Sequence, residues 1–234
     1  MNNLQQYDRL AAQWWDEASP FKDLLLLNAP RFSFFGDFIT DWHGKTVLDL
    51  GCGGGFASEE MTRRGASVVG VDPAGELLAV AKSHAEKAGF TIDYRQGSGE
   101  AIPAADASFD VVVCVDVLEH VADLDKVLLE VNRVLKPGGL FLYDTINRTA
   151  FSFLWMILAL EWVAGRIPRG THDWRMFIKP EEIREKLLRS GFQHLDHGGI
   201  SIRSLHLEKF SLIPRFRISK SNFSGVYVGA ARKP

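Results

Sequence analysis

The sequence predicts a single α/β domain built on a doubly wound, mostly parallel seven-stranded sheet. Three observations carry that prediction. From Lys45 onward, short apolar runs alternate with amphipathic stretches, the rhythm of repeated strand–helix units. Two of the runs, Thr46 to Leu50 and Phe109 to Val115, are apolar along nearly their whole length, as strands covered on both faces are. The first of them stops in Gly51-Cys52-Gly53-Gly54-Gly55, a glycine-rich turn placed where a helix would follow.

Taken in order, Leu4, Tyr7, Ala11, Trp14 and Trp15 fall at helical spacing, and the Phe-rich stretch Arg31 to Thr40 reads as a second helix. Strands are expected at Thr46 to Leu50, Ser67 to Val71, Thr91 to Gln96, Phe109 to Val115 and Leu140 to Asp144. Leu124, Val127, Leu128, Val131 and Leu135 mark the buried face of an intervening helix. An apolar segment, Ala150 to Arg169, then breaks the rhythm before a helix at Pro180 to Ser190. Two late strands are expected near Gln193 to Ile202 and Ser224 to Ala231. The predicted organisation is a helical cover (1–42), a core (43–145), an insertion or lid (146–179) and a C-terminal helix with strands (180–234). The insertion falls at the carboxyl edge of the sheet, where open α/β folds bind ligands.

Composition narrows the function. Of 234 residues, 46% are hydrophobic and 24% charged, with a formal net charge of −2. That balance lacks the basic footprint of a nucleic-acid-binding protein. Cys52 and Cys114 are too few for a disulfide framework or a zinc cluster. The opening residues have neither a basic region nor an apolar core, and no uncharged apolar run reaches about 18 residues. A cytoplasmic enzyme is expected, with attachment to a membrane face open to it.

The loop after the first strand is the most informative stretch. Glycine lets the backbone turn sharply and approach a ligand without Cβ contacts. The dinucleotide pattern Gly-x-Gly-x-x-Gly fails, because Phe56 stands where the last glycine or alanine belongs. Asp49, just before the loop, would meet a cationic ligand better than a pyrophosphate. S-adenosylmethionine, with its sulfonium and ammonium, is such a ligand. Asp72, closing the second strand about twenty residues on, is placed to accept both ribose hydroxyls. Ser98 and Gly99, in Gly97 to Pro103, lie where an adenine-flanking loop would be.

At these residues the chain resembles the Rossmann-like class I S-adenosylmethionine-dependent methyltransferases. Among them it looks like the ubiquinone-biosynthesis O-methyltransferases, which methylate hydroxyls on polyprenylated aromatic rings. The narrower resemblance rests on Trp14-Trp15-Asp16, Phe21-Lys22, Asn28 with Arg31, and Leu118-Glu119-His120-Val121. Asn147-Arg148, Pro168 to Asp173 and Phe177-Ile178-Lys179-Pro180 complete it. The resemblance implies cofactor contacts from Arg31, Gly51, Asp72 and Val115; Gly53 joins them as part of the same loop. It also implies a divalent cation held by Asp116, Glu119 and His120. If a helical turn starts at Asp116, these three project from one face at i, i+3 and i+4. Two carboxylates and an imidazole would suit Mg²⁺, Mn²⁺ or Zn²⁺.

A phenol has a pKa near 10, so its oxygen needs help to become a nucleophile at neutral pH. Glu119 and His120 are candidates to accept the proton or hold a metal, and His172 with Asp173 could fold over the acceptor as base, orienter or gate. The run Phe151 to Leu160, flanked by Trp162, Arg166 and Arg169, is too short to span a bilayer but suits a helix lying in its interface. It also suits an ordinary lid or an oligomer contact. A methyltransferase for another small apolar acceptor, a nicotinamide oxidoreductase and a non-catalytic membrane-surface module are the competing readings.

Overall fold

The computed structural model describes residues 11–16, 19, 21–163, 169–208 and 211–234. Its centre is a sheet of strands β1 (Thr46–Leu50), β2 (Ser67–Asp72), β3 (Asp93–Gln96), β4 (Phe109–Cys114), β5 (Leu135–Ile146), β6 (Gln193–Glu208), β7 (Ser211–Ser219) and β8 (Val226–Arg232). They lie side by side in the order β3-β2-β1-β4-β5-β8-β6-β7. Strands β1 to β5 pair in parallel, while β8 runs antiparallel between β5 and β6. The chain order reverses beside β1 and β4, and that switch point places the ends of both strands at one crevice.

The sheet has eight strands, one more than expected. Strand β7 was hidden because Ser-Leu-Ile-Pro-Arg-Phe-Arg-Ile-Ser carries Pro214 and alternating charge, not a buried apolar run. Proline cannot donate to a ladder and is tolerated on an edge strand. That is where β7 lies, paired with β6 alone.

Helices α1 (Lys22–Phe35), α2 (Phe56–Arg63), α3 (Gly75–Lys87), α4 (Leu124–Val134) and α5 (Pro180–Arg189) cover the sheet. Helix α1 begins well before Arg31 and runs through Pro30, so the helix expected over Arg31 to Thr40 starts and stops earlier than its apolar pattern indicated. Of the N-terminal helical pattern, Leu4 and Tyr7 lie outside the described residues, and Ala11–Gln13 forms one 3₁₀ turn. The core divides across the two faces of the sheet. Leu48, Val112, Leu128, Val131, Phe141 and Tyr227 pack on one side, and Phe35, Met61, Val68, Val113 and Leu142 on the other. Strands β1 and β4 bury successive residues because both faces are covered, which explains why each is apolar at nearly every position.

The insertion is helical. Thr149 accepts a hydrogen bond from the Ser152 amide, opening a short α turn (Ala150–Ser152) that continues as a π-helix over Phe153–Val163. Much of its apolar surface faces outward, including Phe151, Leu154, Trp155 and Trp162. No helix among the described residues is long and apolar enough to cross a membrane.

Candidate functional site

The site is built on the turn between β1 and α2. Gly51, Gly53 and Gly55 all have positive φ, which glycine adopts without the Cβ penalty. The Gly51 amide donates to the Val71 carbonyl at 2.7 Å, drawing the turn onto the end of β2. A Cβ on Gly51 would run into the Val117 side chain, and one on Gly53 would meet the Trp14 ring at 2.9 Å. The missing side chains thus admit two walls of a cavity, Val117 and Trp14. The neighbouring Trp15 donates from its indole nitrogen to the Gly54 carbonyl at 2.9 Å and stacks on His84. The double tryptophan therefore clasps the glycine turn from outside the sheet.

Two carboxylates flank that turn. Asp72, the last residue of β2, accepts the Gly53 amide at 2.9 Å on one oxygen and the Ala74 amide at 2.8 Å on the other. Asp49 is fully buried at the penultimate position of β1, and one of its oxygens accepts from the Ser58 hydroxyl at 2.5 Å. Its other oxygen has no hydrogen-bond partner among the described residues. Burial pushes the Asp49 carboxyl up to about 7, against the opposing pull of the Ser58 bond.

Above these ends of the sheet lies a cavity of ≈ 880 Å³. Its walls include Arg31, Asp49, Gly51, Gly53, Asp72, Ser98, Gly99 and Val115, so the structure brings together all the residues expected at the cofactor. It continues past Asp116, Glu119, His120 and His172 to Phe151, Trp155 and Leu160 of the insertion. A buried, unpartnered carboxylate oxygen beside an acid-lined hollow fits a ligand carrying positive charge, as S-adenosylmethionine does.

Arg31 is 1% exposed, the largest buried polar side chain. Its Nε donates to Asp144 at 2.5 Å, and Nη2 lies 2.5 Å from a carboxylate oxygen of Asp116. Burial opposes the charge on Arg31, but Asp116 and Asp144 outweigh it and raise the guanidinium pKa. Asp144 also accepts the Asp116 amide at 2.7 Å. One cation thereby holds helix α1, the loop after β4 and the C-terminal end of β5 together.

The expected metal triad does not form. Asp116 has φ +57° and stands before the turn; the helical turn is a 3₁₀ segment covering only Leu118–His120. The i, i+3, i+4 face therefore never develops, and Asp116 turns to Arg31. Glu119 is buried and accepts from the Thr145 hydroxyl at 2.8 Å. Among the described residues no three His, Cys, Asp or Glu side chains are grouped to hold a metal ion. The donor set as arranged does not fit Mg²⁺, Mn²⁺ or Zn²⁺.

What the turn does supply is a carboxyl and an imidazole facing the cavity, joined there by the His172 ring. Burial, reinforced by Asp116, pushes Glu119 up to about 7. Burial, and then His172, drives His120 down to about 3, so its ring is neutral at physiological pH. The two imidazole rings stack with centroids 5.3 Å apart. Three members of the site escaped sequence reading: Asp144, Thr145 and Glu161. Asp144 and Thr145 sit inside a strand pattern, and Glu161 interrupts an apolar run in which only its charge marks it out.

A parallel sheet with reversed order, an acid-flanked glycine turn and a cavity joining it to acid–base side chains define a class I methyltransferase. A methyltransferase domain model matches residues 48–143. Solved S-adenosylmethionine-dependent methyltransferases share the fold: one from Thermotoga maritima at TM-score 0.63 and 18% identity, covering 99% of this chain and 96% of its own. Another, from Aquifex aeolicus, has TM-score 0.63 and 15% identity, with 87% and 89% covered. The ubiquinone biosynthesis O-methyltransferase of Methylobacterium sp. (strain 4-46) is 42% identical over 84% of this chain and 84% of its own length. That of Ruegeria pomeroyi is 39% identical over 100% and 96%. The chain belongs to the ubiquinone biosynthesis O-methyltransferase family and is an S-adenosylmethionine-dependent O-methyltransferase.

The Arg31 cluster generates a direct test. Arg31→Met keeps the stem but leaves Asp144 buried without its cation, and denaturant unfolding should show a loss of about 3–5 kcal/mol. Adding Asp144→Asn should recover part of that loss. An unchanged unfolding midpoint for Arg31→Met would show that the cluster does not hold the site together.

Proposed function

We propose that this enzyme methylates a ring hydroxyl of a polyprenylated phenol or catechol in ubiquinone biosynthesis. The observation that carries the reading is the single cavity. It begins at an acid-flanked glycine turn, passes a carboxyl and two imidazoles, and ends among aromatic and aliphatic side chains of the insertion. Those three zones match a cationic methyl donor, a weakly acidic hydroxyl and a hydrocarbon tail in that order. The relatives' shared name supports the same acceptor class.

In this reading Asp72 takes the ribose hydroxyls and Asp49 faces the positive end of the donor. Gly51, Gly53, Ser98, Gly99 and Val115 shape the rest of its bed, and Arg31 holds the floor of the cavity and faces the donor's carboxylate. S-adenosylmethionine supplies an electrophilic methyl on sulfur. The protein's task is alignment in a dry pocket, which is worth several kcal/mol of barrier. Glu119 and His120 orient the acceptor hydroxyl, and an imidazole of the His120–His172 pair receives its proton. The outward apolar surface of the insertion, with Phe151, Leu154, Trp155 and Trp162 exposed, supports a peripheral seat on the cytoplasmic face of a membrane. A tailed acceptor would then enter from the lipid.

Labelled S-adenosylmethionine offered with catechols and phenols, with and without a prenyl tail, tests the acceptor. Methyl should appear on a ring oxygen, with tailed compounds preferred. Transfer only to nitrogen or carbon acceptors, or indifference to the tail, would refute the reading.

Asp49 adds a pH signature. Burial raises its pKa to about 7 in the free enzyme, and a cation alongside favours the carboxylate. Donor binding must then release a proton from the protonated fraction, so affinity should climb as pH rises from 5.5 to 7.5. Calorimetry should show that climb in the wild type and a flatter profile in Asp49→Asn. Matching profiles in the two proteins would remove Asp49 from the donor site.

A further inference from the structure

Among the described residues, one carboxylate is buried within the apolar insertion. Glu161 is 1% exposed, and it is the only acidic residue of the π-helix Phe153–Val163. A carboxylate taken out of water in such surroundings is strongly penalised unless both its oxygens are hydrogen-bonded. Glu161 meets that condition with one short stretch of chain. Its Oε2 accepts the Gly170 amide at 2.8 Å, and its Oε1 accepts the His172 amide at 3.0 Å. The same Oε1 lies 2.7 Å from Nδ1 of the His172 ring. Both oxygens are already acceptors for backbone donors, so the ring nitrogen facing them is the one that carries hydrogen. Neutral imidazole has a single N–H, and with it on Nδ1 the lone pair belongs to Nε2.

We propose that Glu161 is a positioning residue for methyl transfer: it fixes His172 as the Nδ1–H tautomer, so that Nε2 is the nitrogen that receives the acceptor's proton. This rests on the O-methyltransferase reading of the same cavity, which His172 lines beside His120 and Glu119. The His172 ring is held from two further sides. It stacks with His120 at 5.3 Å and meets Phe177 edge-on at 5.9 Å. A carboxylate behind Nδ1 also stabilises the imidazolium that forms when Nε2 takes a proton, the logic by which an acid orients a histidine base. In the step itself the acceptor O–H bond breaks and its proton passes to Nε2. The oxygen pair forms the new O–C bond, while the carbon–sulfur bond breaks with its pair left on sulfur. The products are the methyl ether, the neutral thioether nucleoside and a protonated His172, so the positive charge of the donor ends on the imidazole.

The same contact makes the insertion part of the reaction centre. Glu161 lies nine residues before Gly170 and eleven before His172, so the helix supplies the orienter and the chain returning from it supplies the base. A segment whose outer face is apolar and exposed thus has one buried carboxylate, set behind the His172 ring.

The test uses the full chain with S-adenosylhomocysteine bound, ring-¹⁵N-labelled histidine and a His172→Gln spectrum for assignment. Expected in the wild type is a pyrrole-like Nδ1 and a pyridine-like Nε2 for His172. Glu161→Gln keeps the shape of the side chain but removes the negative charge behind Nδ1, and Glu161→Leu also removes the acceptor, which should release the hydrogen to Nε2. Turnover with a prenylated catechol should then fall at least about 100-fold in kcat, the scale of a lost general base. Affinity for S-adenosylhomocysteine should stay within about threefold of wild type, and Glu161→Asp should regain part of kcat. In the Glu161→Gln background, His172→Gln should add little further loss, because the two act as one unit. A wild-type spectrum with hydrogen on Nε2 would overturn the proposal without reference to activity. So would a Glu161→Gln enzyme with near-normal kcat, which would leave the O-methyltransferase reading intact. Failure of that reading would show differently, as a wild-type enzyme that methylates no ring hydroxyl while His172 still carries the expected tautomer.

Discussion

The buried guanidinium of Arg31 is the contact on which the rest of the site depends. It is enclosed by Asp144 within β5 and by Asp116 after β4, two residues 28 apart in the chain, of which Asp144 lies 113 positions from Arg31. Neither carboxylate would sit in that position without the cation, and the cation would not be buried without both. A Lys in its place would offer one point charge, whereas the planar fork reaches two carboxylates at once. Because Asp116 is claimed in this way, the backbone there takes up positive φ, and the following 3₁₀ turn delivers Glu119 and His120 to the cavity wall.

Around that anchor, the cavity sorts its chemistry by distance from the glycine turn. Nearest are carboxylates, one of them with an unused buried oxygen, an environment that repels anions and favours a cation. Further along, burial holds the Glu119 carboxyl and the His120 ring close to or in their neutral forms at physiological pH. This polar middle can therefore exchange a proton without carrying a fixed charge toward the apolar end. Such an arrangement suits a reaction that brings one positive charge in on sulfur and must pass it to a proton acceptor.

Much of this was legible in the amino-acid order. Strands β1 and β4 read clearly because covering both faces leaves a nearly continuous apolar run, and Asp49, Gly51, Gly53 and Asp72 read clearly because they flank one glycine turn. What was not legible depended on partners distant in the chain or on a small shift of register. Strand β7 carries the proline and charges of an edge strand and so gave no strand signal. The three supposed metal ligands were aligned by assuming a helical turn two residues too early. Arg31 was picked out only by resemblance; nothing in its own neighbourhood announces Asp144, 113 positions away. Glu161 looked like an interruption of an apolar helix, since its role appears only when Gly170 and His172 fold back onto it.

The position of the bound nucleoside decides what the cavity does. A crystal structure of the enzyme with S-adenosylhomocysteine would decide it most directly. The ribose hydroxyls should lie on the Asp72 carboxylate, the adenine beside Ser98 and Gly99, and the amino group toward the free oxygen of Asp49. A nucleoside bound elsewhere, or a glycine turn too closely covered by Trp14 and Val117 to admit one, would contradict it.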